Sequence, residues 1–238
     1  MKIKGKEIDK TKMKRRTVLT ARYVTQVAVM AGLITALKFA LSFLPNVELI
    51  TLLIAVFSTV WGLKYSLSAT VVFCLVEMAI YGVGSWLLLY IIYWPLLAVI
   101  FYYALRNKKT PVAMGISVPI GLVMTVLFGV LSACTDTLFV MGAVSKDMLG
   151  TYFVSYYLKG LWFDIIHVIS VLISLLVLYI PLVKVCERIR KSITRENYMT
   201  ENEENCSENF VESGENLQSA TDETLCQDVK DTLDNCEK

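Results

Sequence analysis

Residues 159–181 read Lys159-Gly-Leu-Trp-Phe-Asp164-Ile-Ile-His167-Val-Ile-Ser-Val-Leu-Ile-Ser-Leu-Leu-Val-Leu-Tyr-Ile-Pro181. From Gly160 onward this run is long enough, at about 1.5 Å per residue, to cross the ~30 Å hydrocarbon layer of a bilayer as one helix. Set into it are Asp164 and His167, the latter being the single histidine of the chain. Positions 160, 164, 167 and 174 share one helix face, so Gly160, Asp164, His167 and Ser174 form a polar strip flanked by Leu, Ile and Val. An ionisable group in a membrane helix costs roughly 2.5–3.5 kcal/mol on insertion scales and for that reason faces protein or a cavity. The strip is either an Asp164–His167 pair that ties two helices together or part of a ligand or proton site.

The rest of the chain has the same character. It is 55% hydrophobic and only 18% charged, which is the composition of an integral membrane protein. Six apolar stretches are expected as spans: about 18–44, 49–63, 65–83, 86–105, 112–133 and 160–183. The second and third are kept apart because one merged helix would exceed thirty residues and bury Lys64. The first is too long for a signal-peptide core and lacks a cleavage site, so it is expected to stay in the protein.

Basic residues set the orientation. Lys2, Lys4, Lys6, Lys10, Lys12, Lys14, Arg15 and Arg16 precede the first span. Arg106, Lys108 and Lys109 lie between the fourth and fifth, and Lys184, Arg188, Arg190 and Lys191 follow the sixth. The other links carry almost no positive charge. A six-helix all-α bundle with both termini cytoplasmic satisfies this distribution, as expected of a multi-pass membrane protein. The expected organisation is a basic N-terminus over 1–16, the membrane domain over 17–184, a basic juxtamembrane segment over 185–195 and an acidic tail over 196–238.

The net charge of +2 conceals a division. Residues 1–195 hold 21 Lys and Arg against 8 Asp and Glu, a balance of +13, while residues 196–238 hold 13 acids against Lys230 and Lys238, a balance of −11. The tail is rich in Asn, Ser and Thr and is expected to be disordered. Its cysteines at 206, 226 and 236 are too widely spaced for a zinc motif. The basic N-terminus suits anionic lipid rather than nucleic acid.

With this orientation the strongly polar groups of the membrane domain fall in its outer half. They are Lys38 near the end of span one, Glu48 at the start of span two, Glu77 near the end of span three, Asp136 at the end of span five, and Asp164 and His167 early in span six. A channel or proton relay needs polar groups at successive depths. Here they stop midway, which describes a cup open to the outside with an apolar floor. Trp86, Tyr90 and Trp94 are placed to stack on a flat or cationic ligand, or they belong to the aromatic belt of the interface. Lys38 is also a natural counter-ion for Glu77 or Asp164. The candidate ligand-binding set is Lys38, Glu48, Glu77, Tyr81, Trp86, Tyr90, Asp136, Trp162, Asp164 and His167.

Span one carries a second regularity, a small residue every four positions: Ala28, Gly32, Ala36 and Ala40. Such ladders let helix backbones approach closely in lipid, either within the bundle or against another membrane protein. The chain lacks a Walker-type phosphate loop, a His-Glu-x-x-His motif and a Gly-x-Ser-x-Gly elbow. No cofactor or metal is therefore expected, and no ATP hydrolysis by this chain itself. An outer-face enzyme using Asp136 and Asp164 as acid and base is one alternative. A regulatory membrane protein acting through its tail is another.

Four features over roughly residues 20–183 resemble the membrane-embedded substrate-binding (S) components of energy-coupling factor (ECF) transporters, the vitamin importers of many bacteria. They are the ladder ending in Ala36-Leu-Lys-Phe-Ala40, the Leu-Pro45-Asn46-Val-Glu48 exit, Glu77-Met-Ala-Ile-Tyr81-Gly82, and Trp162-Phe-Asp164-Ile-Ile-His167. The resemblance implies a six-helix fold with an outward pocket for a micronutrient, a partner membrane subunit (the T component) and two cytoplasmic ATPases that supply energy. It also implies that Ala36 and Ala40 contact the T component. It selects no particular vitamin, and the acidic tail departs from the compact pattern of that family.

Overall fold

The computed structural model describes residues 2–141 and 146–213. Among them the fold is entirely helical: α1 (Lys2–Ala40), α2 (Ile50–Val60), α3 (Leu63–Tyr81), α4 (Ser85–Leu105), α5 (Thr110–Val140), a 3-10 turn (Lys146–Met148) and α6 (Leu149–Ser213). Five of these helices contain stretches long and apolar enough to cross a membrane, and α2 does not. The protein is thus a multi-pass membrane protein by architecture. Two compact units are distinguished, Met1–Glu187 and Arg188–Lys238; the bundle described below belongs to the first.

The second expected span is corrected by α2. Its 11 residues reach only about 16 Å at 1.5 Å per residue. Every one of them except Thr59 is buried, and α2 packs against α1, α3, α4 and α5. A helix that is apolar all round belongs inside a bundle rather than against solvent. Its hydroxyls find partners on neighbours: Ser58 donates to the Ala98 carbonyl of α4 at 3.3 Å, and Thr59 shares a 2.7 Å hydrogen bond with Tyr179 of α6.

Side-chain register fixes the helix directions. Tyr23 of α1 meets the start of α3, bonding Ser68 at 2.5 Å and the Lys64 carbonyl at 3.3 Å. Fifteen residues further along α1, Lys38 meets Glu77 near the end of α3. The two helices are therefore parallel, and α2 is the short return leg between them. The bonds joining the α2 region to α6 keep a separation of 119 to 122 residues from Glu48–His167 to Thr59–Tyr179, so α2 and α6 are also parallel. The chain alternates up and down, and α1, α3 and α5 finish at one end, here called the distal end.

Gly62 makes the α2–α3 turn possible. Its φ of 85° and ψ of −179° lie in a region open essentially only to glycine. Gly62→Ala is expected to destabilise the protein by about 1–3 kcal/mol. Gly115→Ala is the control: a Cβ there meets nothing within 4 Å, and the helical position favours alanine. Thermal unfolding of the two variants in detergent checks the difference.

Other expected ends shift as well. Span one stops at Ala40 instead of 44, since Leu41–Asn46 form turns in which Asn46 takes a φ of 58°. α5 runs to Val140, beyond the expected 133, and α6 starts at Leu149, well before 160. Asp136 and Lys159 read as span ends by polarity, but both helices run past them. At the other terminus α6 continues through 196–213, where disorder was expected. No Gly or Pro lies between 182 and 213 to interrupt it, and Gly214 follows, the residue that most readily ends a helix. Residues 214–238 lie outside the described residues.

Candidate functional site

Three polar clusters gather toward the distal end. In the first, Lys38 of α1 pairs with Glu77 of α3. Glu77 is 1% exposed, so its carboxylate depends on that ammonium for compensation. The Lys38 Nζ is also held over three rings, at 4.8 Å from Tyr90, 5.2 Å from Tyr81 and 5.8 Å from Phe73. All are within cation–π range.

The second cluster joins the α1–α2 connection to α6. Glu48 Oε1 accepts from Thr51 at 2.9 Å and lies 2.8 Å from His167 Nε2. The Glu48 backbone N–H donates to Ser170 Oγ at 3.1 Å, and Ser170 donates back to the Glu48 carbonyl at 3.2 Å. Glu48 thus sits just before α2 with its main chain clamped to α6. This corrects the sequence reading of an Asp164–His167 pair: the hydrogen-bond partner of His167 is Glu48. Asp164 instead fills the space beside Gly129 of α5, where any Cβ would collide with the carboxylate. A spacing of three on one helix places two side chains on a common face but does not choose their partners on other helices.

The third cluster is at the rim. Ser85, the first residue of α4, donates to Asp136 Oδ1 at 2.9 Å, and Tyr152 of α6 donates to Oδ2 at 2.5 Å. Asp136 is therefore a latch among three helices. Because Asp164 is level with Gly129, seven residues from Asp136, the two carboxylates lie at heights roughly 10 Å apart along α5.

Aromatic rings connect the first two clusters. Tyr90 lies 6.3 Å from Phe128, which lies 5.5 Å from the His167 ring, centroid to centroid. Tyr93 and Trp94 also pack on Phe128, at 4.9 and 6.0 Å. Further out, Trp86 contacts both Tyr90 and Tyr81. Trp162 has no part in this assembly; at 68% exposure it points off the bundle. Of the ten residues expected at the site, Trp162 is thus the one placed away from it.

Sequence reasoning passed over Thr51, Phe73, Tyr93, Phe128 and Ser170. Residues 86, 90, 93 and 94 recur at helical spacing, so the inclusion of Tyr93 was available from the period alone. Phe128 sits in an ordinary apolar run and carries no such mark.

An apolar groove of about 470 Å³ flanks the second cluster, between Val47 and Leu49 on one side and Ile169, Ile173 and Val177 on the other. On α1, Ala28, Gly32, Ala36 and Ala40 are exposed, whereas Val27, Met30, Ala31 and Ile34 are buried. A Cβ added at Gly32 would meet nothing within 4 Å. The small-residue ladder therefore faces away from the bundle and is not used for packing within it. No family model, curated protein or solved structure matches the chain.

Proposed function

We propose that this chain is the substrate-binding component of an ECF-type importer, capturing a small micronutrient at its distal end and passing it inward with a T component and two ATPases. One observation carries the binding part of this reading: among the described residues the buried acid and the buried histidine, Glu77 and His167, with their partners Lys38 and Glu48, gather at one end of the bundle. The other buried polar groups among the described residues are the hydroxyls of Ser, Thr and Tyr, the Trp94 Nε1 and the Cys74 thiol, which carry no charge at neutral pH. A relay would need charge at successive depths, whereas a one-ended cluster suits a binding site. The basic links of the sequence orient that end outward, with both termini cytoplasmic and α2 counted as a sixth, short leg.

The exposed ladder on α1 supports the partner part of the reading, together with the resemblance of its last members to the docking residues of S components. Close helix approach in lipid needs a small-residue surface, and this one is exposed among the described residues. Ala36→Trp combined with Ala40→Trp is expected to abolish co-purification of the T component and ATPases, and with it uptake. Native mass spectrometry of the same variant should still find the small molecule that co-purifies with the parent protein. A variant that assembles and transports normally would overturn the docking assignment.

A further inference from the structure

Three ring-bearing side chains pack on Phe128, and each has a polar atom left without a partner among the described residues. They are the Tyr93 hydroxyl, Trp94 Nε1 and His167 Nδ1. Their exposures are 0%, 1% and 4%, and their ring centroids lie 4.9, 6.0 and 5.5 Å from that of Phe128. A buried polar group without a hydrogen bond is destabilising, and native interiors hold few of them. Here three surround one phenyl ring, the side chain least able to satisfy them. The sequence offers no apolar compensation, since Phe at 93 would keep the ring and remove the unpaired hydroxyl.

We infer that Tyr93, Trp94 and His167 form an interior ligand subsite masked by Phe128, and that it takes a planar group bearing a lactam or carboxamide edge. The chemistry of the three atoms sets that class. Trp94 Nε1 only donates, so it requires an acceptor such as a carbonyl oxygen. The Glu48 carboxylate accepts at His167 Nε2, which must therefore carry hydrogen; Nδ1 is then an acceptor in the neutral ring and a donor in the imidazolium, so a group offering both a carbonyl and an N–H meets it in either form. The Tyr93 hydroxyl serves either role. A carbonyl beside an N–H on a flat frame meets all three, and the ring contacts around Phe128 describe the slot in which such a frame would lie.

This assignment rests on the ligand-binding reading of the distal site and deepens it, but its test needs neither the natural ligand nor the partner subunits. Phe128→Ala removes a phenyl ring that 2-pyridone, a planar six-membered lactam, can replace in size. Benzene is the control with the same ring and no hydrogen bonds. Titration calorimetry of the purified variant, with matched micelle blanks, is expected to give at least about tenfold tighter binding of 2-pyridone. Adding Tyr93→Phe or Trp94→Phe should reduce that preference to less than about threefold. Benzene binding as tightly as 2-pyridone, or a preference that survives both changes, overturns the subsite.

A second measurement stands if Phe128→Ala does not fold. Tyr93→Phe in the otherwise unchanged, ligand-free protein should keep or raise the melting temperature. A fall of more than about 2 °C would mean that the hydroxyl is already paired, and the inference fails. Failure of the unaltered protein to co-purify with a T component and ATPases, with 2-pyridone selectivity retained in Phe128→Ala, would refute the importer reading while leaving the subsite in place.

Discussion

Lys38→Met is expected to destabilise the protein by about 3–5 kcal/mol, the usual cost of leaving one member of a buried ion pair without its partner. That is a large share of the ~5–15 kcal/mol that holds an ordinary domain together. The loss follows from asymmetry within the pair, for Glu77 is 1% exposed while the Lys38 side chain keeps 25% of its surface. Removing the ammonium strands a carboxylate in the interior. The converse change, Glu77→Gln, leaves Lys38 partly solvated and still held over Tyr90, Tyr81 and Phe73, so its cost should be clearly smaller. The double variant Lys38→Met with Glu77→Gln should recover most of what Lys38→Met loses, because no buried charge remains. Denaturant or thermal unfolding of the four proteins in detergent gives the ranking. A double variant no more stable than Lys38→Met would show that the stranded carboxylate is not the source of the loss.

The same geometry changes what the aromatic residues mean. Trp86, Tyr90 and Trp94 read in sequence as a surface on which a flat or cationic ligand would stack. In the fold, Tyr81 and Tyr90 already have a cation, which is Lys38. Tyr90 also begins the path of rings through Phe128 to His167. Ligand contact at this end of the bundle therefore implies either displacement of the lysine or use of the deeper slot where Tyr93, Trp94 and His167 lack partners.

The helices themselves were legible because each is an apolar run closed by charge, Gly or Pro, and the run length alone identifies a membrane helix. The separation of α2 from α3 followed from Lys64, which in the fold lies over the Tyr23 ring near the middle of α1. What polarity could not give was length. α2 has the same composition as a span but only half the reach, and it is tolerated because other helices surround it. α5 and α6 outrun their apolar cores because Asp136 is bonded by Ser85 and Tyr152 rather than standing as a helix end. Residues 196–213 were misjudged for another reason: a polar, acidic composition weakens a core but does not stop a helix that has already begun.

Partner choice was the least legible part of the site, and it leads to the second large effect. Periodicity reports which side chains share a face of one helix; the bond that decides the role of His167 spans 119 residues. Glu48→Ala is therefore expected to be among the most damaging substitutions, at about 2–4 kcal/mol, because it leaves both His167 Nε2 and the Thr51 hydroxyl without their acceptor, at roughly 1–3 kcal/mol each. His167→Ala should cost a similar amount. In a double-mutant cycle the two should be coupled by about 1–3 kcal/mol, since they share one bond. Asp164→Ala should be coupled to His167→Ala much more weakly, because Asp164 lies against Gly129 and not in that bond. A cycle with the opposite result, strong coupling to Asp164 and none to Glu48, would restore the pairing suggested by the i, i+3 spacing. The expected order instead makes the α1–α2 connection a wall of the site, since Ser170 clamps the Glu48 main chain to α6 as His167 holds its carboxylate.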